Sequence, residues 1–280
     1  MKFLSYCGVA ALFVLSEASS LAGITLLDGS TQWYFTGGGA SGSGSMTDNT
    51  STGTVAWTPD SSQNTMIWAY LGSTQTLAVG DSLSFTFTLT TGSTASFNSG
   101  TLLRLGLFNS NGSSPYTPTS NQYGSIANAA WLNDSGYGTT VDVGSTDTGS
   151  ASQTKVRLST ASNTTLWAGA AFSNVGSTGS DADLAKSTVY SGSYVLTRES
   201  NGMQISMTLG GMTYTVLDTT ASTTSFDTVS LFSGGAADSY TLSNMLISYQ
   251  AVPEPSVIML LSAGLLLGLV RYRAIKAART

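Results

Sequence analysis

The side chains that enzymes use for acid–base and nucleophilic chemistry are scarce in this chain. It has no histidine and one cysteine, and Glu199 is the only glutamate between residues 23 and 251. Without histidine, a Ser-His-Asp triad and a histidine metal ligand are excluded. One cysteine cannot form an intrachain disulfide or a zinc cluster. We therefore predict a protein without catalytic residues. A polysaccharide hydrolase that uses two aspartates is the alternative, although the aspartates form no motif for such a pair.

Sugar binding uses aromatic rings that stack on the apolar face of a sugar, with polar groups around them for the hydroxyls. Of the five tryptophans, Trp131 lies in a loop-like stretch together with Asn133. A lectin-like carbohydrate-binding module is therefore the alternative to a surface protein with a purely structural role, with Trp131 and Asn133 as its candidate glycan contacts and extracellular polysaccharide as its partner. Trp57, Trp68 and Trp167 lie in strand-like runs, which is typical of core residues. Burial is also the alternative for Trp131.

Oxygen ligands for calcium are offered by Asp181 and Asp183 in a glycine-rich region, with Asp142 or Asp147 as a further ligand. Calcium takes about six to eight oxygen ligands, and the spacing of an EF-hand is absent. Closely spaced aspartates also form loop turns. The pair is therefore either a calcium site or a turn, and we expect no other cofactor.

The first 22 residues have the pattern of an export leader. Lys2 precedes a mostly apolar run over residues 3–15, and small residues occupy positions 20 and 22 before Gly23. A positive start, an apolar centre and small residues near the cut are typical of a secretory signal peptide. We predict a signal peptide over residues 1–22, and a short buried helix is the alternative. Cys7 lies in this leader, so the mature chain would have no cysteine.

A second apolar run lies between a proline-rich tetrapeptide and a basic tail. Val252-Pro253-Glu254-Pro255 cannot lie inside a helix or a central strand, because proline lacks the amide donor. The run that follows is uncharged, and Arg271 and Arg273 come directly after it. We predict an accessible linker, a transmembrane helix over residues 256–270 and a basic cytoplasmic tail over 271–280, oriented by the positive-inside rule. A buried core helix is the alternative.

The tetrapeptide, the short apolar helix and the arginine cluster together resemble the tripartite PEP-CTERM sorting signal of exported proteins in Gram-negative bacteria. The resemblance covers residues 252–280. It implies that an exosortase, an integral membrane enzyme, reads Pro253, Glu254 and Pro255 and processes the chain near them. It further implies export across the inner membrane, a membrane-anchored precursor with its C-terminus in the cytoplasm, and a final place at the cell surface or in the extracellular matrix. An ordinary tail anchor is the alternative.

The body between these end segments is predicted to be one domain, residues 23–251. Apolar and polar residues alternate over 83–89 and 203–209, the period of a half-buried strand, and Gly210-Gly211 indicates a hairpin. Many strands without intervening helices favour an all-β, antiparallel two-sheet β-sandwich, and we predict a concanavalin-like jelly roll. A β-helix is the alternative, although no repeat period supports it. Residues 103–110 are weakly similar to a strand in the ectodomains of other PEP-CTERM proteins.

Charge argues against a nucleic-acid partner. Residues 23–251 contain thirteen acidic and five basic residues, a net charge of −8, whereas the whole chain is at −5. Nucleic-acid binding needs a basic patch, and these basic residues are scattered. Arg104 lies in a strand-like run, where it either pairs with a charge on the sheet face or contacts an anionic ligand. Serine and threonine make up 85 of the 280 residues, and their alternation with apolar residues indicates the polar faces of strands.

Overall fold

The structure is a computed structural model in which the chain forms two compact units, residues 23–250 and residues 1–22 together with 251–280. The part of the chain that it describes comprises residues 23–37, 44–60, 64–93, 102–123, 125–144, 155–159, 166–167, 172–176, 181–234 and 239–252, with positions 264, 267, 268, 271 and 272.

The smaller unit is described at few positions. Val252 is 52% exposed, and Arg271 is an exposed residue in helical conformation. Within the described positions, no helix is long and apolar enough to cross a membrane. The predicted signal peptide, Pro253, Glu254, Pro255, Arg273 and most of the predicted transmembrane helix lie outside the described residues. Export, membrane insertion and sorting therefore stay predictions.

In its described residues, the larger unit is built from strands, with one short 3₁₀ helix at Ala129–Trp131. In the described residues the strands are β1 (Ile24–Leu27), β2 (Tyr34–Gly37), β3 (Ser45–Asn49), β4 (Thr54–Thr58), β5 (Asn64–Thr76), β6 (Ser82–Thr91), β7 (Leu102–Asn109), β8 (Ser135–Asp142), β9 (Lys155–Ser159), β10 (Phe172–Val175), β11 (Val189–Glu199), β12 (Gly202–Leu209), β13 (Met212–Asp218), β14 (Ser225–Gly234) and β15 (Tyr240–Gln250).

Antiparallel pairing assembles these strands into two sheets. Sheet A has the order β13-β12-β11-β6-β15-β4-β3, with β1 also paired to β15, and sheet B has the order β10-β9-β8-β7-β14-β5-β2. The chain changes sheet at each step from β4 to β7, and again from β14 to β15. As a result, β4-β15-β6-β11 lie side by side in sheet A, and β5-β14-β7-β8 lie side by side in sheet B.

The main core lies between the two sheets. In β6 the apolar residues are buried and the hydroxyl residues between them are more exposed; the buried set is Leu83, Phe85, Phe87 and Leu89. Leu105 and Leu107 of sheet B belong to the same hydrophobic cluster, so the inner faces of the two sheets pack together. The prediction of an all-β, antiparallel two-sheet sandwich is confirmed, together with the alternating pattern on which it depends.

A second buried cluster covers the outer face of sheet B, and we call it the outer aromatic cluster. It consists of Met66, Trp68, Phe108, Trp131, Leu166, Trp167 and Phe232. Trp131 comes from the 3₁₀ helix and Trp167 from the connection after β9. Trp167 fits because position 138 beneath it is glycine, where an added Cβ would lie 2.5 Å from the indole ring. Sheet B is therefore covered on both faces, whereas sheet A keeps a solvent-facing side.

The turn between β12 and β13 is the glycine pair that the sequence indicates. Gly210 and Gly211 have φ of 60° and 82°. A positive φ at both central residues is the geometry of a type I′ hairpin turn, and glycine adopts it without steric strain. The predicted hairpin is confirmed, with Leu209 opposite Met212 at its closing pair.

Candidate functional site

The outer face of sheet A is the polar face of the sandwich. Alternation along its central strands turns apolar side chains to the core and hydroxyl side chains to solvent. Hydroxyl groups on neighbouring strands contact each other, with Ser84 Oγ 2.9 Å from Ser248 Oγ and Thr208 Oγ1 3.1 Å from Thr213 Oγ1. Part of the serine and threonine excess is thus gathered on one exposed surface.

A depression of about 360 Å³ lies in this face, where β11, β6 and β15 run side by side next to β12. Its lining consists of Thr86, Phe87, Thr88, Ser191, Gly192, Ser193, Thr208 and Asn244. None of these side chains carries a charge. A hydroxyl group can donate one hydrogen bond and accept two, and the asparagine amide can also do both. The depression therefore suits a neutral ligand that itself has many hydroxyl groups.

A β-bulge supplies the amide at the rim of the depression. The pairing of β15 with β6 shifts register between Ser243 and Leu246, and Asn244 within that shift has φ of 51°. Bulges re-aim side chains in this way. The Asn244 side chain reaches β6, where Nδ2 donates to Thr88 Oγ1 at 3.2 Å. The bulge thus places the Asn244 amide beside the hydroxyl side chains of β6.

Gly192 contributes its backbone to the floor of the depression, and a side chain at this position would point to the core side of the sheet, where it does not fit. It lies directly opposite Phe87 in the pairing of β11 with β6, and an added Cβ would lie 2.2 Å from the Phe87 ring. The ring occupies the space that a side chain would need. The two hydroxyl residues on either side of Gly192, Ser191 and Ser193, remain on the outer face.

Trp131 does not offer the open ring face that the glycan prediction requires. All five tryptophans are at most 2% exposed, and Trp131 packs edge-on against Trp68 with ring centroids 5.2 Å apart. Its role in this structure is packing in the outer aromatic cluster, contrary to the prediction. Asn133 is exposed, and its backbone carbonyl accepts a hydrogen bond from Asn111 Nδ2 at 2.5 Å. Asn133 is not in the lining of the depression.

The aspartates predicted as calcium ligands lie beside the end of β8. Ala182 N donates to Asp142 O at 2.9 Å, so the structure brings the segments of Asp181 and Asp142 together. Asp181 is half-buried and Asp183 is exposed. Within the described ranges, no group of three or more histidine, cysteine, aspartate or glutamate side chains is arranged to hold a metal, and Asp147 lies outside those ranges. Calcium binding at Asp181 and Asp183 stays a prediction.

Arg104 is a packing partner of the outer aromatic cluster. Its Nη1 donates to Trp167 O at 3.1 Å, and its guanidinium carbon lies 4.5 Å from the centroid of the Phe232 ring. A guanidinium over an aromatic face is attracted by the electrons of the ring. These contacts hold Trp167 against the sheet.

Asp134 is a buried carboxyl group that sequence reasoning missed. It is 3% exposed, and neither carboxyl oxygen has a hydrogen-bond partner among the described residues. Burial raises the pKa of this carboxyl to about 7, and the nearby charge of Asp227 adds to the rise. A raised pKa beside a second carboxylate is also typical of a general acid. Because the Asp134 oxygens are closed to solvent and lie outside the depression, no substrate reaches them in this structure.

No family model matches the chain, and no curated protein matches it. Among solved structures, it is similar to a protein of unknown function with a galectin-like fold from Bacillus subtilis, at 11% identity and a TM-score of 0.49, over 83% of this chain and 98% of that one. It is also similar to the VIP36 exoplasmic/lumenal domain in a Ca²⁺/Man3GlcNAc-bound form, at 12% identity and a TM-score of 0.47, over 83% and 90% of the two chains. A third is the metal-free carbohydrate recognition domain of Emp46p, at 9% identity and a TM-score of 0.45, over 77% and 87%. At these values the similarity gives no information about a ligand of this chain.

Proposed function

We propose that this chain is an exported surface protein whose β-sandwich is a non-catalytic binding module for neutral carbohydrate. The observation that carries the proposal is the depression on sheet A, whose lining is uncharged and includes five hydroxyl side chains and the Asn244 amide. Sugars are neutral polyols, so each sugar hydroxyl can exchange hydrogen bonds with such groups. The depression is open to solvent and has a volume of about 360 Å³, so it would contact one side of a sugar chain.

The preferred ligand under this proposal is a sugar chain rather than a single sugar. No tryptophan ring faces the depression, because all five are buried, so binding rests on hydrogen bonds. Each contributes only about 0.5–1.5 kcal/mol net. Further hydroxyl groups, those of Ser84 and Ser248, lie outside the depression on neighbouring strands. An extended polysaccharide would contact several such groups at once.

We also propose that the sandwich is a jelly roll of the concanavalin-like kind. Its support is the strand order, in which β4-β15-β6-β11 of one sheet and β5-β14-β7-β8 of the other are nested. In a jelly roll, strands that follow each other in sequence lie alternately in the two sheets and form two Greek keys.

The distribution of carboxyl groups supports a role without catalysis. The lining of the depression contains no aspartate or glutamate. Glu199 ends β11 opposite Gly202 at the hairpin to β12, away from that lining. The net charge of −8 over residues 23–251 also supports a partner other than nucleic acid.

For the chain ends we propose sorting by an exosortase-type enzyme. Support comes from the combination of the leader at 1–22 with Val252-Pro253-Glu254-Pro255, the apolar run and the arginine cluster. The precursor would be anchored in the inner membrane with its C-terminus in the cytoplasm. The processed protein would then stand at the cell surface or in the extracellular matrix.

The carbohydrate proposal is tested with the full chain and two valine variants. Thr86→Val with Thr88→Val removes two hydroxyl groups from the depression and keeps the branched shape of the side chains. We expect binding to at least one neutral polysaccharide on a glycan array, and an affinity roughly 10-fold lower in the double variant. Thr241→Val, an exposed change in β15 outside the depression, is the matched control and should bind normally.

Two results would contradict this proposal. One is the absence of binding to any glycan by the folded full chain, which would favour a purely structural surface role. The other is an equal loss of binding in Thr241→Val and in the double variant, which would place the binding surface elsewhere.

The sorting proposal is tested by following the mass and location of the protein in its host. Replacing Pro253 and Pro255 by alanine changes the motif but leaves the apolar run intact, so it separates motif recognition from membrane anchoring. We expect this variant to remain an unprocessed membrane precursor, as the wild type should in a host that lacks the exosortase. Normal mass and location in both cases would overturn the proposal.

A further inference from the structure

Two carboxyl groups from distant parts of the chain lie near the connection from β7 to β8. The pairing of β7 with β8 ends with Asn109 opposite Ser135, the residue after Asp134, and Ser110 N donates to Asp227 Oδ1 at 3.0 Å. Asp134 follows the 3₁₀ helix Ala129–Trp131, and Asp227 lies at the start of β14, where its pairing with β5 shifts register. The charge of Asp227 acts on Asp134, and Tyr70 of β5 is affected by both.

Asp227 is held in position by its neighbours. Its Oδ1 accepts hydrogen bonds from Ser110 N at 3.0 Å and from Thr228 Oγ1 at 2.8 Å, and its Oδ2 accepts them from Ser110 Oγ at 2.6 Å and from Thr74 Oγ1 at 3.4 Å. Ser110 begins the connection from β7 to β8, so the carboxylate ties the first residue of that connection to β14. Its position does not depend on Asp134.

Asp134 has no such partners. Both of its carboxyl oxygens are buried, and among the described residues nothing donates to them. Taking an unpartnered carboxylate out of water is unfavourable, and a second carboxylate nearby makes it more so. A cation between the two groups would offset both effects.

The chemistry around the two carboxyl groups selects a hard cation. The surrounding side chains that the structure describes supply oxygen atoms, from carboxylates and the hydroxyl groups of Ser110 and Tyr70, whereas the whole chain contains no histidine. Oxygen ligands with two carboxylates match the preference of calcium. Softer transition metals prefer nitrogen or sulfur ligands.

We propose that Asp134 and Asp227 bind a calcium ion, with backbone carbonyls of the β7–β8 connection and water completing about six to eight oxygen ligands. The ion would fasten the end of the connection at Asp134 to its beginning at Ser110 and to β14. This site is separate from Asp181 and Asp183. It also goes beyond the proposed carbohydrate function, because it lies at sheet B whereas the depression lies on sheet A.

The test compares the full chain with Asp134→Asn and with Asp183→Asn as the matched control. Asparagine keeps the shape of the aspartate and removes its charge. We expect calcium at about 100 times its Kd to raise the Tm of the wild type by roughly 5–10 °C over chelator-treated protein. Asp183→Asn should respond in the same way, and Asp134→Asn should not respond. A response lost in Asp183→Asn and kept in Asp134→Asn would overturn the proposal.

Direct binding on the wild-type chain keeps the proposal testable if Asp134→Asn fails to fold. Calorimetry with calcium should show a site that Asp183→Asn leaves intact, with magnesium binding more weakly, and absence of such a site would overturn the proposal. Terbium, which replaces calcium in oxygen sites, provides the location. Because Trp131 is three positions from Asp134, Trp131→Phe should lower terbium emission excited through tryptophan without lowering calcium affinity. Because Trp68 packs against Trp131, emission that is unchanged in both Trp131→Phe and Trp68→Phe would place the ion elsewhere.

Discussion

Trp167 is fixed on the outer face of sheet B by contacts of three kinds. Its Nε1 donates to Ser230 Oγ at 2.9 Å, its carbonyl accepts from Arg104 Nη1 at 3.1 Å, and its ring packs edge-on against Phe108 with centroids 5.2 Å apart. A buried indole usually finds an acceptor for its N–H. The large ring can lie flat on the sheet only where the residue beneath it has no side chain.

Gly138→Ala should therefore destabilise the fold. Its Cβ would lie 2.5 Å from the Trp167 ring, and overpacking of this kind costs about 1–3 kcal/mol. The free energy of unfolding from urea titration measures the effect. Gly23→Ala is the control, since its Cβ would meet no atom closer than 3.4 Å. Equal stability of the two variants would show that Trp167 is not held against Gly138.

At the scale of elements, a buried hydrogen bond joins the two sheets. Tyr137 of β8 in sheet B donates its hydroxyl to Asp218 Oδ2 at the end of β13 in sheet A, at 2.6 Å. Thr220 N and Thr220 Oγ1 donate to Asp218 Oδ1 at 3.0 and 2.6 Å. Burial alone would raise the pKa of the Asp218 carboxyl, but these hydrogen bonds outweigh it and hold the pKa below its ordinary value.

Asp218→Asn should lower stability by about 1.5–3 kcal/mol at pH 7, because hydrogen bonds to a charged group are lost. A lowered pKa means that the folded chain favours the carboxylate, so this contribution is present above the ordinary pKa of 3.8 and disappears as pH falls through the lower native value. Urea titrations from pH 7 down to pH 3 should show the wild type and the variant converging. Asp183→Asn, an exposed change, should follow the wild type at every pH.

At the scale of the whole molecule, the first and last strands of the sandwich are neighbours. β1 pairs with β15, with Ile24 opposite Tyr249, and the compact unit ends at Gly23 and Gln250. The first and last residues of this unit therefore belong to, or lie next to, two paired strands. Removal of residues 1–22 and 251–280 would cut no described strand.

The segment 23–250 produced alone should consequently fold and melt at the Tm of the full chain. Its sheets join strands far apart in sequence, such as β4 with β15 and β5 with β14, so we expect folding in milliseconds to seconds rather than microseconds. Thermal melts of both chains and stopped-flow refolding of the segment measure these properties. A segment that fails to fold would show that the end segments contribute to the sandwich.

Properties that depend on neighbouring residues can be derived from the amino-acid sequence. The alternation of Leu83, Phe85, Phe87 and Leu89 with hydroxyl residues predicts a strand with one buried face, because side chains of a strand point to opposite sides in turn. The glycine pair at 210–211 predicts its hairpin turn from local backbone geometry alone. Net charge and the absence of histidine likewise need no fold to be read, and they exclude whole classes of function.

Which side chains are accessible to solvent, and which of them contact each other, depends on the tertiary structure. Trp131 has the local sequence of a loop tryptophan, but it is buried because its loop closes over sheet B. Asp134 and Asp227 are far apart in sequence, and the depression combines residues from β6, β11, β12 and β15. Such sites depend on strand order, and strand order is set by the joint burial of both sheets in one core, which no single segment encodes.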